Sequence, residues 1–352
     1  MKSSNKKIIL WLFTGCFLIF VMVIIGGVTR LTGSGLSITE WKLIRGTIPP
    51  LNAQQWNEEF ENYKKIPQYS EQNYHFTVED FKTIYWWEYI HRLIGRIIGI
   101  VFIIPFLFFW LTKQLDKALI KKLLFLFLLG GLQGFLGWYM VKSGLIQNVR
   151  VSHIRLAIHL VTAFITFGFT FWVMLDLIYP RKIKNENSVK SIRKGIVIIL
   201  ILVLLQIIYG AFTAGLKAGH IYNTFPKMGD EWIAGAVIYG LQADGISALI
   251  NNISVVQFIH RCIAWLLALV IIYFWFYGRK KFNTSNQKAA INYLMVAVLV
   301  QFWLGVFTLI YNVPIVLGVM HQAGAFFLFT ATIYFIHSVS AATSSIATAT
   351  SH

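Results

Sequence analysis

Four of the nine histidines in this 352-residue sequence lie well inside long apolar runs, where an ionisable side chain is costly and marks a candidate functional site. They are His91, His159, His260 and His321. A single histidine in such a run is more often a hydrogen-bonded packing residue than a metal ligand. Two histidines at one depth on facing helices, however, can supply both axial ligands of a heme iron. The four therefore predict two hemes, one between His91 and His159 and one between His260 and His321.

Depth and spacing support this pairing. Each histidine lies six or seven residues into an apolar run that enters the membrane from outside, which puts all four roughly 10 Å below the outer surface. Position i+4 shares the histidine's helix face, and a small residue there leaves a shallow surface for a flat macrocycle. Each histidine has such a residue, namely Gly95, Ala163, Ala264 and Ala325.

Arginines accompany three of the histidines. Arg92 and Arg261 directly follow theirs, and Arg155 precedes His159 by four residues. An arginine at membrane depth requires an anionic partner, and heme propionates suit the paired hydrogen bonds of a guanidinium group. For Arg155 the alternative is a side chain that extends to the outer interface.

Other metals fit the pattern less well. Zinc and copper sites usually draw ligands closer in sequence or include Cys, Asp or Glu. The two cysteines, Cys16 and Cys262, lie in apolar runs, and we expect no disulfide. Four further histidines, in outer loops, at an inner helix end and at the terminus, are expected to be solvated or interfacial: His75, His220, His337 and His352.

One acidic residue distinguishes the two predicted sites. Glu88 stands three residues before His91, whereas Gln257 occupies the matching position before His260. Both lie on the helix face of the ligand. A buried carboxyl group in one half only predicts proton-coupled chemistry there and electron transfer alone in the other half. The alternative is a structural role for Glu88, in which it pairs with an arginine such as Arg92.

The elements that must position these residues are membrane-spanning helices. The sequence is 57% apolar and only 13% charged, which is about half the usual charged fraction. Eight apolar runs are long enough to cross a hydrocarbon core of roughly 30 Å, at 8–28, 84–112, 121–141, 152–176, 195–215, 254–277, 290–311 and 314–337. The first run lacks a small-residue cleavage site and is expected to be retained. The sequence predicts an all-α polytopic membrane protein.

Charge gives the orientation. Seventeen basic and three acidic residues fall in the N-terminal segment and in the alternate short loops, whereas the opposite loops are balanced. Lysine and arginine in short loops mark the cytoplasmic side, so both termini are expected there and loops 30–83 and 216–253 face outward. The net charge of +17 is therefore a topology signal, and we expect no nucleic-acid partner.

The long outer loop 30–83 is rich in aromatic residues. Asn52 is expected to cap a short helix that places Trp56, Phe60 and Tyr63 on one face. Such a helix would lie on the membrane surface over the first site, or serve as an ordinary interfacial anchor.

The chain reads as two copies of a four-helix unit. Gly26 to Thr29 matches Gly210 to Thr213, and Gln133 to Gly137 matches Gln301 to Gly305. Because each copy has an even number of helices, a pseudo-two-fold axis along the membrane normal is expected. We predict an N-terminal unit at 1–183 and a C-terminal unit at 184–340, with a disordered tail at 341–352.

The motifs together resemble those of the heme A synthase family over roughly residues 10–340. They are GGVTRLTGSGLSITEW, WWEYIHRLIGR, LAIHL, QFIHR, AGHIYNTFPKM and GVMHQAGA. The resemblance implies oxidation of a ring methyl group of heme O to a formyl group, which makes heme A for cytochrome oxidase. It also implies heme B on His260 and His321, the substrate heme near His91 and His159, and a catalytic role for Glu88. The long first loop without a cysteine pair resembles the proteobacterial and mitochondrial subtype.

The resemblance further implies partners and a location. The substrate would come from the farnesyltransferase that makes heme O, and electrons would pass to an acceptor such as quinone. Oligomerisation is compatible with the resemblance. Without a transit peptide, the protein is expected in a bacterial inner membrane. Two alternatives remain: a di-heme membrane cytochrome that exchanges electrons with quinone, and a heme transporter or chaperone.

Overall fold

The computed structural model describes residues 3–40, 45–146, 151–179, 190–282 and 284–342. Within those ranges the chain is helical and contains no β-strand. The helices are α1 (Ser3–Leu31), α2 (Ala53–Tyr63), α3 (Val78–Leu111), α4 (Lys117–Ile146), α5 (His153–Ile178), α6 (Lys190–Leu216), α7 (Gly235–Asp244), α8 (Ala248–Asn251), α9 (Ile253–Lys281), α10 (Ser285–Ile310) and α11 (Ile315–Ala342). The predicted all-α class is confirmed.

Eight of the described helices are long and apolar enough to cross a membrane: α1, α3, α4, α5, α6, α9, α10 and α11. The shortest of these spans, Gly195–Leu216, has 22 residues and is therefore about 33 Å long, enough to cross the hydrocarbon core. Their outward faces expose large apolar side chains, among them Leu128 at 68% and Leu269 at 60%. Such faces require lipid rather than water, and the protein is a multi-pass membrane protein.

Among the helices that begin earlier than their apolar runs, α3 and α10 are extended by polar caps. Thr77 and Asp80 form a reciprocal capping box at the start of α3, and Thr284 and Gln287 form another at the start of α10. A capping box satisfies backbone N–H groups that the first turn leaves unpaired. The helices therefore continue beyond the apolar segment that hydropathy alone detects.

The chain divides into two compact units. One comprises residues 17–163, and the other comprises the described parts of Met1–Cys16 and Phe164–His352. In the second unit α6 packs against α9 and α11, and α10 packs against the same two helices, which closes a four-helix bundle. The predicted boundary at 183 and the tail residues 343–352 lie outside the described residues, and the division into 1–183 and 184–340 stays a prediction.

His337 is not interfacial, and that expectation is wrong. Its side chain is 1% exposed, and its Nε2 lies 3.2 Å from Asp176 Oδ1 on α5. The ring also makes an edge contact with Trp172. Packing of α5 against α11 in the second unit, continued by Phe164 against Phe329, buries this pair near the C-terminal ends of both helices.

The first outer loop is a packed structure. The Asn52 side chain accepts a hydrogen bond from the Gln55 backbone N–H at 2.9 Å and caps α2 as predicted. Trp56, Phe60 and Tyr63 share one face, and that face packs on the outer end of α3. There the Phe60 and Tyr63 rings contact Phe81, and the Trp56 ring contacts Tyr85.

Polar side chains hold the rest of this loop in place. The Tyr63 hydroxyl donates to Gln68 and accepts from Asn73, and Gln68 in turn donates to the Gly33 carbonyl at 2.9 Å. Burial raises the pKa of Tyr63 to about 12, so the hydroxyl keeps its proton and stays a donor at physiological pH. The segment after α1 is thereby tied to α2 and α3.

Candidate functional site

The first pair of predicted ligands comes from α3 and α5. His91 and His159 are both partly buried and lie within electrostatic reach of each other. The Nδ1 atom of each ring is buried and has no hydrogen-bond partner among the described residues. Buried polar groups are normally hydrogen-bonded, so two unsatisfied ring nitrogens in one unit indicate an unfilled coordination or bonding role.

The second pair comes from α9 and α11, within the closed bundle. His260 and His321 also lie within electrostatic reach of each other. Here each ring meets a glutamine amide: Gln206 Nε2 lies 3.4 Å from His260 Nε2, and Gln301 Nε2 lies 3.1 Å from His321 Nδ1. The His260 Nδ1 atom remains buried without a partner in the described part of the chain.

Each of the four rings packs against a glycine of a neighbouring helix. A β-carbon at Gly26 would lie 3.1 Å from Cε1 of His91, and one at Gly305 would lie 2.9 Å from Cε1 of His321. The corresponding distance is 3.4 Å both for Gly137 with His159 and for Gly210 with His260. Gly26 matches Gly210 and Gly137 matches Gly305 in the sequence repeat, so the same contact occurs in both halves.

These sites fit a heme better than a bare metal ion. No group of three or more His, Cys, Asp or Glu side chains that could hold a metal ion occurs among the described residues. A site with only two protein ligands suits a group that supplies the equatorial ligands itself, as a porphyrin does. One imidazole nitrogen from each histidine of a pair would supply the axial donors of such a group. Both cysteines are free, with Cys16 buried and Cys262 exposed.

Glu88 is deeply buried and fully engaged. Its Oε2 accepts hydrogen bonds from the Ser37 hydroxyl at 2.7 Å and from the Ile38 backbone N–H at 2.9 Å. Its Oε1 accepts from Arg92 Nη2 at 2.6 Å and from Arg92 Nε at 3.1 Å. Four donor atoms from Ser37, Ile38 and Arg92 therefore converge on the carboxyl group. The segment after α1 is thus fastened to α3 beside His91.

Gln257 makes the matching contact without a charge. Its Nε2 donates to the Tyr222 carbonyl at 3.2 Å, and Tyr222 occupies the repeat position of Ile38. Gln257 Oε1 is buried without a partner among the described residues. The two halves therefore share an architecture in which a side chain three residues before the histidine fixes the preceding loop, but only the first half carries a carboxylate.

The three arginines differ in the hydrogen-bond partners of their guanidinium groups. Arg92 bonds Glu88 and the Ile38 carbonyl, and Arg155 donates to the Tyr139 carbonyl at 2.8 Å with its guanidinium 3.8 Å from the centre of the Tyr139 ring. Arg261 Nη2 lies 2.9 Å from each of three carbonyl oxygens of the loop before α7, whereas its Nη1 is buried without a partner in the described residues. A buried, unpaired N–H of Arg261 is suited to a carboxylate such as a propionate.

Eight membrane-spanning helices that carry a histidine pair in each half define a distinct class of multi-pass membrane protein. Residues 9–333 match the family model described as cytochrome oxidase assembly protein. The chain belongs to that family.

Named relatives agree with the motif resemblance. The chain is similar to the heme A synthase of Flavobacterium johnsoniae, with 49% identity over 342 residues, covering 97% of this chain and 100% of the relative. It is also similar to the heme A synthases of Flavobacterium psychrophilum, at 48% identity over 95% of this chain and 98% of the relative, and of Nitrosospira multiformis, at 44% over 95% and 94%. The resemblance to the heme A synthase family is thereby confirmed.

Proposed function

We propose that this protein is a heme A synthase, which oxidises a ring methyl group of heme O to a formyl group. One observation carries the proposal. A buried carboxyl group, Glu88, lies three residues before one histidine of the first pair, whereas a buried amide, Gln257, holds the matching position beside the second pair. One site is thus equipped for removal of protons and the other is not. Relatives that match nearly the whole chain bear the name heme A synthase, which supports this function.

The first site takes the substrate. His91 and His159 would hold heme O, and Gly26 and Gly137 leave the space in which their rings turn toward the iron. The small residues one turn further along, Gly95 and Ala163, leave a shallow surface beside each ring. In this arrangement the macrocycle borders Glu88, one turn before His91 on the same face.

The second site holds a resident heme B between His260 and His321. When bound, heme B would supply a one-electron carrier for the electrons removed from the substrate. The free Nη1 of Arg261 would pair with one of its propionates, while the Nη2 contacts keep that arginine fixed to the loop. Arg92 and Arg155 are the corresponding candidates at the first site.

Glu88 acts as proton acceptor in this proposal. The carboxyl oxygens of Glu88 accept hydrogen bonds from Ser37, Ile38 and Arg92, which hold the group in place one turn before His91. A carboxyl side chain positioned beside the reacting group can serve as general base in each oxidation step.

The charge distribution supports a bacterial inner-membrane location with both termini in the cytoplasm. Both histidine pairs then lie toward the outer side. The partners we propose are the farnesyltransferase that supplies heme O and a membrane electron acceptor such as quinone.

One observation favours a second candidate function. The ion pair between Glu88 and Arg92 is nearly inaccessible, with the side chains 4% and 11% exposed, and such pairs also occur as purely structural features. A di-heme membrane cytochrome would use Glu88 only in that way.

Heme extraction separates these functions. The chain would be produced in cells that make heme O but not heme A, and the extracted hemes would be identified by mass. Heme A is expected for the synthase. Heme B alone would indicate the cytochrome, and substoichiometric, exchangeable heme would indicate a transporter.

A further inference from the structure

Two glutamines at matching positions of the repeat make different contacts. Gln133 on α4 and Gln301 on α10 each stand four residues before the glycine that faces a histidine. The Gln301 amide lies 3.1 Å from Nδ1 of the His321 ring. The Gln133 amide instead donates to the backbone carbonyl of His159 at 3.3 Å. The His159 Nδ1 atom is left buried without a partner among the described residues.

The residue three positions after each histidine explains the difference. At His321 this residue is Gly324, and a β-carbon there would overlap the amide oxygen of Gln301. At His159 the matching residue is Thr162, whose hydroxyl bonds the Ile158 carbonyl. The absence of a side chain at Gly324 thus admits Gln301 to the space beside the ring. The matching position of the first site carries a side chain where the second site has none.

The contact suits a ligand histidine. A histidine that binds iron through Nε2 carries a proton on Nδ1, and it almost always donates that proton to an acceptor, which orients the ring and raises its basicity. A carboxamide rotated by 180° exchanges its nitrogen and oxygen. The Gln301 amide oxygen, otherwise buried without a partner in the described residues, then accepts from His321 Nδ1–H.

We propose that Gln301, admitted by Gly324, is a positioning residue that fixes His321 and makes the second site retain its heme. Thr162 denies the same bond to His159, so the first site binds its heme less tightly and can release a product. This inference rests on the proposed function, because it explains why one heme stays and the other leaves.

Replacing Gln301 with leucine tests the bond without a large change in volume. Gln301→Leu should speed transfer of the second-site heme to apomyoglobin roughly 10- to 100-fold. It should also raise the midpoint potential of that heme, since a less basic imidazole stabilises the oxidised iron less. Gln133→Leu is the matched control, and it should leave the release rate of the first-site heme within about twofold because its amide does not reach the His159 ring. Unchanged release and potential in Gln301→Leu would overturn the proposal, and so would equal effects of the two substitutions.

Exchanging the residues at positions 324 and 162 tests whether the side chain there controls the access of the glutamine amide to the histidine ring. Gly324→Thr should reproduce the effects of Gln301→Leu while leaving the glutamine in the chain. Thr162→Gly should let Gln133 approach His159 and slow release of the first-site heme. Retention of the wild-type potential in Gly324→Thr would contradict the proposed role of Gly324. Failure of the proposed function would show differently, because the unsubstituted protein would then yield no heme A in cells that make heme O, whatever the release rate from Gln301→Leu.

Discussion

The ring of His321 packs so closely on Gly305 that a β-carbon at that glycine would lie 2.9 Å from the ring Cε1 atom. The other ligand of the same site has more room, because the corresponding distance from Gly210 to His260 is 3.4 Å. Gly305 lies on α10 and Gly210 on α6, both within the closed bundle, and the two differ in this clearance. Substituting each glycine with alanine therefore tests whether this clearance governs the position of the histidine ring.

Gly305→Ala should displace the His321 ring, whereas Gly210→Ala should be tolerated. Overpacking at a tight contact costs roughly 1–3 kcal/mol, which corresponds to weakening of heme binding by about one to two orders of magnitude. Heme content and the low-spin absorption spectrum of the purified variants measure this. Equal heme loss in both variants would mean that the clearance does not govern ligand position.

His260→Ala should abolish the low-spin bis-histidine spectrum of the second heme. The iron would keep only His321 and become five-coordinate or take up water, which changes its spin state. Absorption and electron paramagnetic resonance spectra of the purified protein report this directly. Survival of the original spectrum would show that the pairing of His260 with His321 is wrong.

The face of α2 that packs on α3 should matter for the first site only. Replacing Trp56 and Phe60 with serine removes two rings from the cluster with Phe81 and Tyr85, and loss of a buried aromatic ring costs about 3–5 kcal/mol. Heme A yield should fall while the second heme stays at normal content. Trp232→Ser is the matched control, since Trp232 lies in the other outer loop and is 68% exposed. Loss of both hemes together would give the loop a general folding role.

The pair between Asp176 and His337 should be structural. His337 lies sixteen residues beyond His321 on α11, a distance of about 24 Å along the helix. His337→Ala should therefore lower the free energy of unfolding by roughly 1–3 kcal/mol, since it removes a buried hydrogen bond, and leave both heme spectra unchanged. Thermal unfolding in detergent and absorption spectra measure the two effects. A changed heme spectrum would show that the contact between His337 and Asp176 influences the hemes.

The eight spans were predictable because a hydrocarbon core imposes a length and an apolar composition that the sequence records directly. The starts of α3 and α10 were not, since Thr77 and Thr284 continue the helix outside that core through capping. The burial of His337 could not be predicted either. It depends on Asp176, which is 161 positions away in the chain, and on how α5 packs against α11.

The histidines can be predicted as candidate ligands because their equal depth and the repeat are visible in one sequence. The glycines that face them are visible in the sequence only as repeat markers, because the sequence of one helix does not give its register against the next. The contact of Gln301 with His321 could not be predicted for the same reason. Glu88 was singled out by its contrast with Gln257, and its alternative role as a partner of Arg92 corresponds to the ion pair that is present.

The most direct test of the proposed chemistry is the mass analysis of hemes extracted from Glu88→Gln protein in cells that supply heme O. Gln257→Glu, which introduces the carboxyl group at the matching position of the second half, is the control. Glu88→Gln should keep its second-site heme B and accumulate heme O or a partly oxidised product, because no carboxylate remains there to accept the proton, while Gln257→Glu should still yield heme A. Near-normal heme A from a well-expressed Glu88→Gln protein would contradict the proton-transfer role and leave Glu88 as the structural partner of Arg92.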